Sequence, residues 1–239
     1  MTSVLIETGQ KLSALLKKQD DTADRRELVA EIHDFLAMLE GIKPVFLHGR
    51  GLAPPIWIEE VLGIAGDLGL RVIVGPFWDA TDYGEFPEWY AEKSRAQLEP
   101  YRAWYIYRDD AVEMSVRRIN AASGRLSMTE EAQLLGYPVC CVNAHYERAN
   151  RYHRGTLAIL KRLSNGDDNM MQKLFLGGAQ LTPVTQQEIE DFHEAFDIHE
   201  PRLGSWNMCH SCTNGTNSAS DVLSMQYSKV IQRAKLNPI

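Results

Sequence analysis

Pro44-Val45-Phe46-Leu47 begins the stretch of sequence that decides the fold, because it is the first of three short β-rich runs. The second run is Arg71-Val72-Ile73-Val74, and the third is Ala103-Trp104-Tyr105-Ile106-Tyr107. Apolar residues between the first two runs have helical spacing, and residues 88–98 could supply a helix before the third. Alternating strands and helices are typical of a parallel sheet with helices packed against it. We therefore predict an α/β fold with a small, mostly parallel sheet.

Helices are predicted on both sides of this sheet region. In residues 1–41, apolar side chains recur at steps of three and four, and a polar break divides them into an N-terminal helical pair. Residues 42–110 hold the predicted sheet, and residues 111–239 form a helix-rich C-terminal half. No internal repeat, low-complexity linker or shift in composition requires a boundary between these parts. We predict a single α/β domain over residues 1–239.

The composition excludes several classes of protein. The 239 residues are 44% hydrophobic and 24% charged, and 25 basic against 32 acidic side chains give a formal charge of −7. An acidic chain lacks the basic surface that a nucleic acid backbone requires. No apolar run approaches the ~20 residues of a membrane span, and the first residues lack the features of a signal peptide. We expect a cytoplasmic protein that binds neither nucleic acid nor membrane, and the oligomeric state stays open.

The four cysteines fall into two close pairs. Cys140 and Cys141 are adjacent, whereas Cys209 and Cys212 form a C-x-x-C motif. The reducing cytoplasm disfavours a framework of structural disulfides, so metal binding or thiol chemistry is the leading interpretation. Inert structural thiols are the remaining interpretation, although two tight pairs are hard to explain by chance.

The residues before the first pair indicate a break between two helices. Gly136 suits the left-handed position that ends a helix, and Pro138 suits the first position of the next one. Cys140 and Cys141 would then lie in the first turn of the second helix. The positive end of the helix dipole stabilises a thiolate there, so we expect a lowered thiol pKa.

The ligand set fits two kinds of metal centre. Four thiolates match both a [4Fe–4S] cluster and a structural zinc ion. Adjacent cysteines would bind one small zinc ion only with an awkward backbone, whereas in a cluster they can reach different irons. We therefore predict an iron–sulfur cluster, with zinc as the alternative. The C-x-x-C also resembles a redox dithiol, but the βαβ context of thioredoxin-type dithiols is missing.

Two histidines near the cysteines are candidates for acid–base catalysis. His145 is four residues from Cys141 on the predicted helix and shares its face. His210 lies inside the C-x-x-C motif. Either could transfer a proton, although an ordinary exposed histidine is an equally good interpretation of both.

The loops after the first two predicted strands supply candidate substrate-binding residues. His48 and Arg50 follow the first strand, and Trp78 and Asp79 follow the second. Open α/β sheets bind ligands outside the carboxyl ends of their strands. A guanidinium and a carboxylate could hold a small polar molecule there, although a plain turn also explains the Gly-containing segment around Arg50.

The cysteine segments resemble an uncharacterised prokaryotic family that has a Gly-Tyr-Pro-x-Cys-Cys motif and a downstream C-x-x-C. The likeness covers residues 100–235 and is carried by Arg102-Ala103-Trp104-Tyr105-Ile106-Tyr107-Arg108-Asp109, by Leu134-Leu135-Gly136-Tyr137-Pro138-Val139-Cys140-Cys141, and by Cys209, Cys212, Ser218, Ser220 and Tyr227. The function of this family is unknown. The resemblance therefore implies that the four cysteines act together, and it names no reaction.

Three functions are compatible with this sequence. The first is a metal-dependent enzyme, with an iron–sulfur centre on the four cysteines, that acts on a small polar molecule held by residues such as Arg50 and Asp79. The second is a metal-free enzyme for thiol redox chemistry or sulfur transfer. The third is a non-catalytic binding protein in which zinc joins two helical segments.

Overall fold

A computed structural model describes residues 2–17, 22–49, 56–76, 81–121, 128–196, 203–204 and 206–236. In these ranges the chain forms eleven α-helices and three strands. The elements are α1 (Thr2–Leu16), α2 (Thr22–Leu39), β1 (Val45–Gly49), α3 (Ile56–Asp67), β2 (Arg71–Pro76), α4 (Glu88–Leu98), β3 (Arg102–Tyr107), α5 (Glu113–Ala121), α6 (Met128–Leu135), α7 (Val139–Leu163), α8 (Asp168–Leu176), α9 (Gln186–Phe196), α10 (His210–Thr213) and α11 (Ala219–Arg233). Two 3-10 turns precede α4 and α5.

The three strands form an antiparallel sheet in the order β1–β3–β2. Tyr107 on the central strand pairs with Val45 on one side and with Arg71 on the other. The prediction of a mostly parallel sheet is therefore wrong. β1 and β2 do run in the same direction, as a strand–helix–strand unit requires, but β3 lies between them and runs the opposite way.

The burial of the strands explains this order. Every residue from Ala103 to Tyr107 is buried, which suits a strand that is covered on both faces and flanked on both edges. β2, in contrast, exposes Arg71, Val72 and Val74. Such a strand belongs at an edge, and β3 takes the centre although it is the last of the three in the chain.

The antiparallel direction of β3 places its carboxyl end away from those of β1 and β2. Gly49 and Gly75, near the carboxyl ends of β1 and β2, both pair with Ala103 at the start of β3. The residues after β3 consequently lie at the opposite end of the sheet. There Arg108 donates a hydrogen bond to the carbonyl of Leu39 at 3.0 Å.

The helices build the core on this sheet. α1, α2 and α11 pack with one another, and their apolar side chains meet those of the sheet in one large cluster that includes Leu12, Phe35, Phe46 and Ile106. Thr2–Leu16 and Thr22–Leu39 are the predicted N-terminal helices. Among the described residues, no helix is long and apolar enough to cross a membrane.

Candidate metal centre

The first cysteine pair lies at the start of α7, as the sequence predicts. Gly136 ends the preceding segment with a φ of 69°, and Pro138 is the N-cap residue of the helix. The amide of Cys141 donates to the carbonyl of Pro138 at 2.9 Å. The adjacent cysteines thus occupy the first turn of α7, and this hydrogen bond holds their backbone in helical conformation.

The second pair lies on a single turn of helix. Cys209 is the N-cap residue of α10, and the amides of Cys212 and Thr213 both donate to its carbonyl at 3.0 Å. One helical turn directs the side chains of positions three apart to the same side. The C-x-x-C spacing therefore brings both sulfurs of this pair toward one point.

The fold brings all four cysteines together. Their Sγ atoms lie within 4.8 Å of one another. Cys140 Sγ is 3.9 Å from Cys141 Sγ, and Cys212 Sγ is 3.7 Å from each of these two. Cys141, Cys209 and Cys212 are buried, and Cys140 is partly exposed. This arrangement could bind a metal ion.

Polar groups around the cluster donate hydrogen bonds to the sulfurs. The amide of Cys209 donates to Cys141 Sγ at 3.4 Å, and Asn217 Nδ2 donates to Cys140 Sγ at 3.4 Å. Ser220 Oγ lies 3.2 Å from Cys141 Sγ and accepts a hydrogen bond from Trp206 Nε1. Because its oxygen accepts from the indole, its hydroxyl proton is available to the sulfur. Such donors stabilise negatively charged thiolates.

The thiol pKa values differ from the sequence prediction. Burial raises the pKa of Cys140, and hydrogen bonding to Cys212 and the charge of Cys141 act in the same direction. Burial also raises the pKa of Cys141, so the expectation that the helix start lowers both is wrong. Burial opposes ionisation of Cys212 as well, but hydrogen bonds led by those from Ser220 outweigh it and lower its pKa to about 7. Several thiolates confined this closely need a cation to offset their repulsion.

A buried polar network supports the cluster from one side. Asp34 Oδ2 lies 2.7 Å from Lys43 Nζ and accepts from the Tyr137 hydroxyl at 2.9 Å, and Asp34 Oδ1 accepts from the Tyr227 hydroxyl at 2.6 Å. The rings of both tyrosines pack against Trp206. Sequence reasoning missed Asp34 and Lys43, and the only available signal was a charged residue immediately before the apolar run that ends α2.

The two predicted histidines are exposed and do not belong to the cysteine group. His145 is exposed, and its Nδ1 lies 3.4 Å from Asn207 Nδ2. His210 is exposed on α10. Among the described residues, the group that could hold a metal consists of the four cysteines and includes neither histidine.

The predicted substrate residues have different outcomes. His48 is 1% exposed, its Nδ1 is 2.8 Å from Glu31 Oε1, and its ring packs against Trp104. It is therefore a core residue in the described structure. Arg50, Trp78 and Asp79 lie outside the described residues.

The fold and the cluster together define a protein of mixed helices and strands, with a small antiparallel sheet and a candidate tetracysteine metal centre. Comparison with protein-family models, with curated proteins and with solved structures gives no match. The chemistry of the four cysteines is therefore the basis for inferring a function.

Proposed function

We propose that this protein binds a single zinc ion through Cys140, Cys141, Cys209 and Cys212. The distances between the sulfurs are the observation that supports the proposal. A tetrahedral zinc ion with Zn–S bonds of about 2.3 Å holds its sulfurs about 3.8 Å apart. Three of the pairs are separated by 3.7 to 3.9 Å.

The same distances give less support to an iron–sulfur cluster. In a [4Fe–4S] cluster each thiolate binds a different iron, so the sulfurs lie around the whole cluster and are farther apart than ligands of one ion. All four sulfurs here lie within 4.8 Å of one another. The adjacent pair, Cys140 and Cys141, was the main argument against zinc, and its 3.9 Å separation fits a single ion.

The centre has the features of a structural site. Four protein thiolates complete a tetrahedral shell, whereas a catalytic zinc ion keeps one position for water or substrate. We therefore favour a zinc-stapled, non-catalytic protein over an enzyme that acts at the metal.

The ion would join two distant parts of the chain. Cys141 and Cys209 are 68 positions apart. Linking them fixes the first turn of α7 to the segment that leads into α11, and closing a loop of this length removes entropy from the unfolded chain. By analogy with a disulfide, the chain-entropy contribution is about 4 kcal/mol.

Metal analysis of protein purified without oxygen tests the proposal. We expect one zinc per chain, no acid-labile sulfide and no visible absorption band. Cys209→Ser should lose the zinc, whereas the matched variant His210→Ala, one residue away and exposed, should keep it. Iron together with sulfide would contradict the zinc proposal and support the iron–sulfur cluster predicted from the sequence. Four reactive thiols without metal would favour thiol chemistry.

A further inference from the structure

Cys140 differs from the other three cysteines in its access to solvent. Cys141, Cys209 and Cys212 are exposed by only 1%, 7% and 3%, whereas Cys140 is partly exposed and follows Val139, which is 45% exposed. A small reagent from solvent therefore reaches the centre first at Cys140 Sγ.

Three other sulfurs lie within 4.8 Å of Cys140 Sγ, and geometry favours the one on Cys212. A disulfide normally joins residues whose Cα atoms are about 4.4 to 6.8 Å apart. Adjacent residues joined by a trans peptide have Cα atoms only about 3.8 Å apart, so a bridge between Cys140 and Cys141 would be strained. Cys212 Sγ lies 3.7 Å from Cys140 Sγ and comes from a different segment.

We propose that Cys140 is an oxidation site for hydroperoxides and that a disulfide between Cys140 and Cys212 releases the metal ion. This inference rests on the zinc centre proposed above. It gives that centre a second property, namely loss of the ion under oxidising conditions.

The reaction balances in two steps. The Cys140 thiolate attacks one peroxide oxygen, an S–O bond forms as the O–O bond breaks, and hydroxide leaves. The Cys212 thiolate then attacks Cys140 Sγ, the S–S bond forms, and a second hydroxide leaves. Two thiolates lose two electrons, one peroxide gains them, and two protons from solvent convert both hydroxides to water. Zinc, left with two of its four ligands, dissociates.

Asn217 is placed to control the first step. Its Nδ2 donates to Cys140 Sγ at 3.4 Å, and its Oδ1 accepts from the amide of Ala219 at 2.9 Å at the start of α11. A hydrogen bond to a thiolate withdraws charge from it and slows its attack on peroxide. Asn217→Asp removes the donor and retains the acceptor that Ala219 uses.

The test begins with the zinc-loaded wild-type protein, so that a failure of zinc binding is detected before any peroxide is added. One equivalent of hydrogen peroxide is added, zinc release is followed with a chromogenic chelator, and free thiols are alkylated before tryptic digestion. We expect a cross-link between peptides 126–148 and 203–229 that fragmentation assigns to Cys140 and Cys212. A disulfide inside peptide 203–229, or zinc retained under excess peroxide, would overturn the inference.

A pair of variants tests the role of the hydrogen bond to Cys140 without removing a ligand. Asn217→Asp should release zinc several-fold faster than wild type under the same peroxide concentration. Asn214→Asp makes the same charge change at an exposed residue that accepts only from Thr216 in the described contacts, and it should release zinc at the wild-type rate. Equal rates in both variants would contradict a reaction that begins at Cys140.

Discussion

The ammonium group of Lys43 lies 2.7 Å from a carboxylate oxygen of Asp34, and both side chains are completely shielded from solvent. Burial lowers the pKa of Lys43, while the charge and hydrogen bond of Asp34 act in the opposite direction. Tyr137 and Tyr227 donate to the same carboxylate. Tyr137 precedes the first cysteine pair and Tyr227 lies on α11, which follows the second, so the pair links both sides of the candidate metal centre to α2.

Replacing Lys43 by Met should destabilise the protein strongly. The substitution leaves Asp34 buried without its counter-charge, and breaking one side of a buried ion pair typically costs about 3–5 kcal/mol. Urea unfolding followed by circular dichroism measures the loss. The control is Arg117→Met, which breaks an exposed pair with Glu113 and should cost less than about 1 kcal/mol.

The double variant Asp34→Asn with Lys43→Met distinguishes a lost charge pair from lost packing. Removing both charges should recover part of the stability that Lys43→Met alone loses, because no buried charge is then left unpaired. A double variant less stable than either single variant would show that the charge pair is not the source of the effect.

Substituting Gly155 by Ala should destabilise the packing of α7 against α9. An added Cβ at this position would lie 2.9 Å from Cδ2 of Phe192, closer than carbon atoms tolerate. We expect a loss of about 1–3 kcal/mol despite the better helix propensity of Ala. Gly63→Ala is the matched control, since a Cβ on that glycine of α3 meets nothing within 4 Å, and it should gain about 0.5–1 kcal/mol. Thermal unfolding of both variants would show whether their signs differ.

His33 should make the protein sensitive to mild acid. Burial lowers its pKa from 6.5 to about 4, and the charge of Asp34 opposes the shift only in part. Below about pH 6.5 the unfolded chain binds a proton at His33, whereas the folded chain binds it only near pH 4. The free energy of unfolding therefore falls as the pH is lowered from 6.5 to 4. The expected loss is about 3 kcal/mol. His33→Gln should lose less stability than wild type between pH 7 and pH 4, and parallel curves would contradict the assignment.

The ionised Glu188 carboxylate should stabilise the folded protein at pH values above about 4.5. Its carboxylate lies 2.9 Å from Arg162 and accepts from the amides of Val184 and Thr185, and these interactions outweigh burial and lower its pKa to about 2. A depressed carboxyl pKa gives stability that is present above about pH 4.5 and lost as the pH falls toward 2. Because Arg162 is 33% exposed and solvent screens the pair, we expect Glu188→Gln to lose about 2 kcal/mol at pH 7. The exposed Glu190→Gln should lose little, and the deficit of Glu188→Gln should disappear near pH 2.

Local signals in the sequence predicted the helices well. Thr185 and Glu188 form a capping box, a pattern visible in the sequence, at the start of α9: the Glu188 amide donates to Thr185 Oγ1 at 3.2 Å, and the Glu188 carboxylate accepts from the Thr185 amide. Gly136 and Pro138 likewise mark the boundary before α7. Capping depends on residues a few positions apart, so the sequence contains the whole interaction.

The direction of β3 depends on interactions that local patterns do not contain. Strand–helix alternation is the same whether a third strand joins the edge of a sheet or enters its centre. The uninterrupted apolar run from Ala103 to Tyr107 was the available signal for a central strand. Its direction is set by packing and by the connection through α4, which periodicity alone does not describe.

The candidate metal centre was predictable only in its ligands. Two tight cysteine pairs are visible in the sequence, and the fold joins them. The buried pair of Asp34 and Lys43 was not predictable, because charged side chains are almost always exposed unless a partner from elsewhere in the chain neutralises them. The separation of the sulfurs, which distinguishes one ion from a cluster, is a tertiary quantity and required the structure.

The central position of β3 has a consequence for how the molecule folds. Within the described residues the sheet contains no hairpin, because Phe46 and Val72 both pair with Ile106, which lies far along the chain from either. Each pairing must therefore close a long loop before any ladder forms, which slows folding relative to the local contacts of the helices. Before β3 pairs with them, β1 and β2 each expose unpaired backbone groups that can form hydrogen bonds with strands of other chains. During folding, the helices must therefore shield the unpaired edges of β1 and β2 from strands of other chains until β3 pairs with them.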